Sequence, residues 1–340
     1  LPFILLAPFV GALADAFPKG RVMLLANGLK LGAAALMAAG FNPLFCYGLA
    51  GLGAAAYSPA KYGILSQLFG PEKLVKANGL LEGSTIVAIL LGVVAGGWLA
   101  DQGLAWAFTG VIGVYALAAA VNLLIPRLPP EHPLARFDAA GLLREFVAGL
   151  ASLWRDRDAR FSLLGTSVFW GTGSTLRLLL FAWVPVALGV AANQMPANLM
   201  GVVSIGIVLG AALAGALVRL ETVDRALLGG ILLGPLVILF AQQTALLPAV
   251  LLLAMIGAAG GYFVVPLNAL LQERGHLSIG AGRALAVQNL WENLAMLGFV
   301  GAYALLEGLP VVNVAMGFGA VVLVGISALA LGRRVSVNDA

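Results

Sequence analysis

Three basic side chains lie inside long apolar stretches of the chain: Lys30, Lys61 and Arg177. Burying an arginine at the centre of a bilayer costs about 2.5 to 3.5 kcal/mol on insertion scales, so a compensating partner is expected. The planar guanidinium of Arg177 can hydrogen-bond two oxygens of one phosphodiester at once. We therefore predict that Arg177 binds a phosphate. A structural ion pair with an acid in a neighbouring helix is the alternative.

The two lysines lead to different predictions. Lys61 follows Pro59, which frees a backbone carbonyl inside a helix, and lies between Tyr57 and Tyr62. It is predicted near the cytoplasmic end of its stretch, where it either receives the phosphate during inward release or extends its ammonium to the interface. For Lys30, the sequence favours a structural pair or a contact with a lipid head group.

The elements that must position these cations are transmembrane helices. The chain is 61% hydrophobic and only 10% charged, with a mean hydropathy of +1.01, which describes a protein dissolved in lipid. Its 44 glycines favour close helix packing. We predict an all-α polytopic membrane protein with eleven spans. They lie near residues 1–17, 22–40, 44–65, 78–100, 104–126, 161–189, 197–218, 226–243, 247–271, 283–305 and 310–331.

The remaining cations predict the topology. Of the 19 lysines and arginines, all but the three above fall in alternate connecting segments. Positively charged loops are retained in the cytoplasm, so these segments and the C-terminus, with Arg333 and Arg334, are expected there. An odd number of spans places Leu1 on the outer side, and one further preceding span would bring both termini to the cytoplasm.

The longest polar segment, residues 127–160, separates an N-terminal helical half, 1–126, from a C-terminal half, 161–340. Apolar residues recur in this linker at helical spacing, which predicts an amphipathic helix. Two placements stay open: on the inner membrane surface, attracted by acidic head groups, or packed under the bundle. The apolar residues are Phe137, Leu142, Leu143, Phe146, Val147, Leu150 and Trp154.

The two halves carry matching sequence features. Gly53, Tyr57 and Pro59 in the third span correspond in order to Gly257, Tyr262 and Pro266. The following span of each half buries an acid, Glu82 or Glu292. The same order in the same topology predicts a parallel repeat of six plus six helices, with the first helix absent from this chain.

The repeat predicts further site residues. Glu82 and Glu292 either hold the inward gate or couple transport to protons as neutral acids. Glu292 is additionally predicted to meet the amine of an ethanolamine head group. Tyr57 and Tyr262 join Arg177, Lys61 and Glu292 as predicted substrate-binding residues.

The first loop, from Gly11 through Asp15 and Lys19 to Arg21, resembles the G-x-x-x-D-(R/K)-x-G-(R/K) loop of the major facilitator superfamily, with one inserted residue and Ala16 where a cation is common. The resemblance implies the major facilitator fold and a loop that controls the conformational equilibrium. Gly11 would allow close helix approach. Asp15 would pair with a cation or cap the next helix, while Lys19 and Arg21 anchor the loop inside.

Several longer runs are similar to the bacterial lysophospholipid transporters of this superfamily. The runs are 54–65, 74–79, 161–167, 183–189 and 264–275. This resemblance implies flipping of lysophosphatidylethanolamine and lysophosphatidylglycerol from the outer to the inner leaflet of the bacterial inner membrane. It also implies a cytoplasmic acyltransferase and acyl carrier protein synthetase that reacylates them, and an acidic residue on the absent first helix.

Other functions have little support. The phosphate loop G-x-x-x-x-G-K-(S/T) and the G-x-S-x-G elbow are both absent from the sequence, so no enzyme is predicted. His132 and His276 are far apart in sequence, and no metal, cofactor or nucleic-acid partner is expected. A carrier of a water-soluble drug, sugar or organic anion, and a non-transporting scaffold for the acyltransferase, remain as alternatives.

Overall fold

A computed structural model describes residues 2–133, 138–190, 194–306 and 308–338, and the described residues contain helices, turns and no strand. A 3-10 turn at Leu220–Arg225 precedes α10. The helices are α1 Pro2–Leu5, α2 Ala7–Ala16, α3 Lys19–Ala38, α4 Pro43–Leu68, α5 Pro71–Gln102, α6 Leu104–Asn122, α7 Ala139–Arg155, α8 Arg157–Leu188, α9 Gln194–Leu217, α10 Ala226–Ala241, α11 Leu246–His276, α12 Ala281–Leu305 and α13 Val311–Asn338.

The predicted spans coincide with helices in order. The first falls on α1 and α2, the next four on α3 to α6, and the last six on α8 to α13. Within the described residues, eight helices are long and apolar enough to cross a membrane, judged by length and composition. The prediction of an all-α polytopic protein is therefore confirmed.

Local sequence signals explain where some of these helices begin. The side chain of Asn42 accepts hydrogen bonds from the N–H groups of Leu44 (2.9 Å) and Phe45 (3.3 Å), and Pro43 occupies the first position of α4. Gly40, just before this cap, has φ +86°, a backbone conformation that favours glycine.

The predicted amphipathic helix is α7, although Phe137 lies outside the described residues. Asp138 caps it by accepting the Ala140 N–H at 3.1 Å. One edge of α7, formed by Leu142, Gly149 and Leu153, is buried, and the helix packs against α2. The neighbouring edge is exposed at Leu143, Val147 and Trp154. The first edge is thus packed under the bundle, and contact of the second with lipid stays a prediction.

The chain divides into two packing units. The first consists of Leu1–Gly70, Ala88–Asp156 and Leu271–Leu290, and the second of Pro71–Val87, Arg157–Leu270 and Trp291–Ala340. Helices α5, α11 and α12 contribute residues to both. These units describe packing and do not follow chain order, so the proposed division at 127–160 stays a prediction.

The core of the second unit is built on aromatic and small residues. The buried Trp183 donates its indole N–H to the Ala241 carbonyl at 3.1 Å, and its ring lies 4.5 Å from that of Phe240. A Cβ on Gly210 would overlap the carbonyl of Ala258, so α9 and α11 can approach closely only at glycine. The G-x-x-x-G spacing at Gly206 and Gly210 thus serves close packing of α9 against α11.

The same spacing at Gly92 and Gly96 behaves differently. A Cβ at either position would meet no atom within 4 Å among the described residues. Among the described residues this pair therefore packs against no other helix, because spacing alone does not determine which helix face finds a neighbour.

Candidate functional site

The loop between α2 and α3 contributes to a buried cluster of charges in the first unit. Lys19 Nζ lies 3.1 Å from Asp15 Oδ1 and 2.8 Å from Glu131 Oε2, and all three side chains are largely buried. A buried ion pair is stable only if its remaining hydrogen-bonding atoms are satisfied. This requirement is met by the backbone of α12.

The two carboxylates of this cluster cap the start of α12. Asp15 accepts the N–H groups of Gly282 at 2.8 Å and Arg283 at 2.9 Å, and Glu131 accepts that of Ala281 at 3.2 Å. The first N–H groups of a helix have no partner within the helix, and the partial positive charge there attracts carboxylates. The Asp15 carbonyl also accepts the His132 N–H at 3.0 Å. Residues far apart in sequence are thereby fastened to one helix end.

Glycine makes this approach possible. A Cβ on Gly11 would lie 2.7 Å from the Ala286 Cβ and 2.9 Å from the Arg283 Cα, so any larger residue would push α2 away from α12. A Cβ on Gly63 would lie 2.9 Å from Lys19 Cε, which shows how tightly α4 encloses the lysine. Arg21, the other predicted anchor of this loop, is exposed.

Glu131 connects this cluster to a histidine. His276 Nδ1 lies 2.6 Å from Glu131 Oε1. Burial alone would raise the pKa of Glu131, but the hydrogen bond with Asp15, the Lys19 charge and the contact with His276 together hold it well below its usual range. His132 and His276 line one cavity of about 480 Å³, so residues that are distant in sequence are neighbours here. The described residues contain no group of three potential metal ligands.

Arg177 occupies an exposed position on α8 in the second unit. Its Cα is about 16 Å from the end of the helix at Leu188, at 1.5 Å per residue. Among the described residues it makes no hydrogen bond and no ion pair. The structural pair that the sequence left open is thus not present in the described part of the chain.

The α8 face that carries Arg177 also carries an aromatic side chain on either side of it. Trp170 lies two turns before the arginine and Phe181 one turn after it, so all three share a face. Trp170 is 38% exposed and Phe181 is 40% exposed. One cation between two accessible aromatic side chains can hold an anion together with apolar groups on either side.

Lys61 and Tyr57 lie in the first unit, on α4. Lys61 Nζ lies 4.9 Å from the Tyr62 ring centroid. Tyr57 lies beneath the ammonium of Lys30, 4.2 Å from the ring centroid. The structural ion pair predicted for Lys30 is not found within the described residues, since its contacts there are with aromatic rings.

The predicted acids are buried in the second unit. Glu82 is 7% exposed and accepts a hydrogen bond from Asn268 Nδ2 at 3.3 Å, and Glu292 is also 7% exposed. The ring of Tyr262 packs beside Gly229 of α10. These positions do not decide between gating, proton coupling and substrate contact, so the assigned roles stay predictions.

Several residues around Asp15 or Glu82 were not predicted from the sequence. Glu131, His276 and the backbone of Gly282 join the Asp15 cluster although they lie far along the chain. Asn268 completes the environment of Glu82 in the same way. The only sequence signal was the placement of Glu131 and His276 in segments predicted to be cytoplasmic, which locates them on one side of the membrane but does not pair them.

The arrangement is that of a helical membrane carrier. Solved structures share the fold: a human organic anion transporter, MFSD10, aligns with TM-score 0.78 at 17% identity, covering 96% of this chain and 81% of that one. The E. coli fucose:proton symporter FucP aligns with TM-score 0.72 at 14% identity, covering 97% and 88%. At these identities the likeness concerns the fold alone.

Sequence comparison identifies the family. A sequence model of the Major Facilitator Superfamily matches residues 1–299, and the chain belongs to that superfamily. Relatives named lysophospholipid transporter LplT are 56% identical in Citrobacter koseri and 55% identical in Escherichia fergusonii. Each alignment spans 334 residues, which is 98% of this chain and 84% of the relative.

Proposed function

We propose that the chain transports lysophospholipids across the bacterial inner membrane by alternating access, moving lysophosphatidylethanolamine and lysophosphatidylglycerol from the outer to the inner leaflet. The identity of 56% over nearly the whole chain to a relative named as a lysophospholipid transporter carries the proposal. Arg177 supplies independent physical support, because it is exposed and has no partner among the described residues, and a cation inside an apolar helix needs an anion.

The chemistry of a lysophospholipid matches the exposed face of α8. Its phosphodiester presents two oxygens in the geometry that a guanidinium binds with two parallel hydrogen bonds. Its single acyl chain needs apolar contacts next to that point, and Trp170 and Phe181 flank Arg177 on the same face. The substrate head group is therefore assigned to Arg177 and the apolar part to its aromatic neighbours.

The Asp15 cluster is assigned to gating. Its carboxylates hold the start of α12 against α2, and their oxygen atoms accept hydrogen bonds from the protein itself. Delivery to the cytoplasm requires this contact to open, so its strength sets the equilibrium between closed and open cytoplasmic sides. Gly11, Asp15 and Lys19 contribute through the contacts described above, and Glu82 through its hydrogen bond with Asn268.

The remaining parts of the proposal concern location and partners. The distribution of lysines and arginines supports a cytoplasmic C-terminus. A chain of this family is expected to act as a carrier without enzymatic activity of its own. Reacylation of the delivered lipid would then fall to a cytoplasmic acyltransferase and acyl carrier protein synthetase, a partner that the family resemblance alone supports.

Uptake of labelled lysolipid into reconstituted vesicles tests the function. Protein inserted in phosphatidylcholine vesicles should move both lysolipids from the outer to the inner leaflet, as measured by the fraction protected from extraction with albumin. Arg177→Ala should lower the rate about tenfold to a hundredfold for both, which corresponds to losing one charge-assisted contact. Arg177→Lys should recover only part, since a point charge cannot replace a two-pronged contact.

The matched control is Arg127→Ala, which removes an exposed arginine in the linker. It should transport at the wild-type rate. A wild-type protein that moves neither lysolipid would refute the proposed function. A well-folded Arg177→Ala variant with normal rates would refute the phosphate contact alone.

A further inference from the structure

Lys30 sits in a cage of tyrosines inside the first unit. Its Nζ lies 4.2 Å from the ring centroid of Tyr57 on α4 and 5.6 Å from that of Tyr115 on α6. The lysine is 11 residues along α3 from Lys19, or about 16 Å at 1.5 Å per residue. The cation is therefore far from the end of its helix, in the part of an apolar span where charge is least tolerated.

Close packing of α3 against α4 places Lys30 beside Tyr57. A Cβ on Gly53 would lie 2.8 Å from both the Ala26 carbonyl and Lys30 Cγ, so the lysine stem can cross the surface of α4 only because residue 53 is a glycine. Helix α3 also packs against α6, which carries Tyr115. The cage thus depends on three helices of the same unit.

The local charge is not balanced. Lys30 makes no ion pair with a carboxylate within the described residues. Lys61 lies close enough for the two positive charges to repel each other. Aromatic faces attract a cation, but they do not neutralise it. Within the described residues, the charge of Lys30 therefore has no carboxylate to neutralise it inside an apolar span.

A buried hydrogen-bond donor next to Lys30 also lacks a partner among the described residues. Asn27, one turn before Lys30, is 2% exposed, and its Nδ2 has no hydrogen-bond partner. Its side chain lies next to that of Tyr57 and therefore beside the cage. Buried donors are nearly always satisfied, and an unsatisfied one requires an explanation. An anion would satisfy Asn27 Nδ2 and neutralise Lys30 at once.

We propose that Lys30 and Asn27, held by Tyr57 and Tyr115, form a second anion site that binds the phosphate of a lysophospholipid in the first unit. The identity of the ligand rests on the proposed function, whereas the preference for an anion rests on the charge and the unsatisfied donor. Lys30 is only half-buried, so the site is not closed off around it. The lysine is thereby a binding residue and not a structural contact.

Affinity and stability measured on the same variants test this site. Wild type, Lys30→Gln and Lys30→Arg would be reconstituted in phosphatidylcholine nanodiscs and titrated with labelled lysophosphatidylglycerol, and separately with dodecyl phosphate. Lys30→Gln should weaken both ligands at least about tenfold, as expected for the loss of a charge-assisted contact. Lys30→Arg should retain most of the affinity. Lys73→Gln, at an exposed lysine of α5, should change neither.

Thermal unfolding without ligand separates a binding role from a structural one. Removing an uncompensated cation should leave the unfolding temperature of Lys30→Gln unchanged or raise it, whereas loss of a structural cation–π contact should lower it. Normal affinity for both ligands, or a lowered unfolding temperature with unchanged affinity, would overturn the site. If wild type binds dodecyl phosphate through Lys30 but binds no lysolipid, the anion site stands and the proposed function fails.

Discussion

Replacing Asp15 should release the start of α12. The carboxylate accepts two backbone N–H groups, at 2.8 and 2.9 Å, and pairs with Lys19 at 3.1 Å, all with the side chain fully buried. Hydrogen bonds to a charged group contribute about 1.5 to 3 kcal/mol each. Two such bonds stabilise the closed state by about 3 to 6 kcal/mol. In the open state the freed groups bind water, which offsets part of this difference.

A net loss of about 2 to 4 kcal/mol corresponds to about a 30-fold to 1000-fold change in the closed-to-open equilibrium. Asp15→Ala should therefore move the population towards the inward-open state without abolishing head-group binding, because Arg177 lies on another helix. Asp15→Asn should have a smaller effect, since an amide oxygen can still accept one N–H. Lys19 would remain paired with Glu131 at 2.8 Å in both variants.

Cysteine accessibility measures this shift. Ala286 is fully buried and its Cβ faces Gly11, so Ala286→Cys should react with a membrane-impermeant maleimide only when α2 and α12 separate. The background carries Cys46→Ser, because Cys46 is the single native cysteine. The labelling rate should rise strongly with Asp15→Ala and moderately with Asp15→Asn.

The control for this experiment is Asp138→Ala. Asp138 also caps a helix with its carboxylate, accepting the Ala140 N–H at 3.1 Å, but it caps α7 locally and is exposed. Its replacement should leave labelling at Ala286→Cys unchanged. If Asp15→Ala folds normally, binds lysolipid and labels at the wild-type rate, the contact with α12 does not control opening and the reasoning is refuted.

Three further predictions concern packing, pH and lipid contact. Gly210→Ala should lower stability in detergent by about 1 to 3 kcal/mol, whereas Gly298→Ala, where a Cβ meets nothing within 4 Å, should not. The folded chain lowers the pKa of Glu131 from 4.5 to about 2, so its contribution to stability is present above pH 4.5 and is lost as the pH falls towards 2. Glu131→Gln should flatten the unfolding-temperature profile across that window, unlike Glu145→Gln. A polarity-sensitive fluorophore on Val147→Cys should shift to the blue in anionic vesicles relative to neutral ones if the exposed edge of α7 contacts acidic lipid.

The helical architecture was predictable because its causes are local. A run of about 20 apolar residues must hydrogen-bond its own backbone in lipid, so hydropathy alone specifies both the helix and its approximate ends. The helical periodicity of the linker predicted α7 in the same way. Glycine spacing was a weaker guide: Gly206 and Gly210 pack against α11, whereas a Cβ on Gly92 or Gly96 would meet no described atom within 4 Å. The spacing is a property of one helix, and contact is a property of two.

The partners of the charged residues were not predictable for the same reason. The sequence predicted that Asp15 pairs with a cation or caps the next helix; it pairs with Lys19, but the helix that it caps is α12, through the backbone of residues 282 and 283, and α3 has no side-chain cap. Backbone N–H groups have no sequence signature, and only the fold determines which helix end lies beside a given carboxylate. His132 and His276 were set aside as metal ligands because they are far apart in sequence, and the contact of His276 with Glu131 at 2.6 Å depends on tertiary structure.

Charge balance distinguishes the two kinds of site in this protein. Around Asp15, every charged group that the structure describes has an opposite charge or a helix end to satisfy it, so the cluster is complete without a ligand, in keeping with the gating role that we propose for it. Around Arg177 and Lys30, the described residues supply no carboxylate. An unpaired cation in an apolar span lowers the stability of the folded protein. Such a residue is expected where an anion binds, or where a functional site retains a destabilising group. A carrier needs such incomplete sites, since a site already satisfied by the protein would have no preference for its substrate.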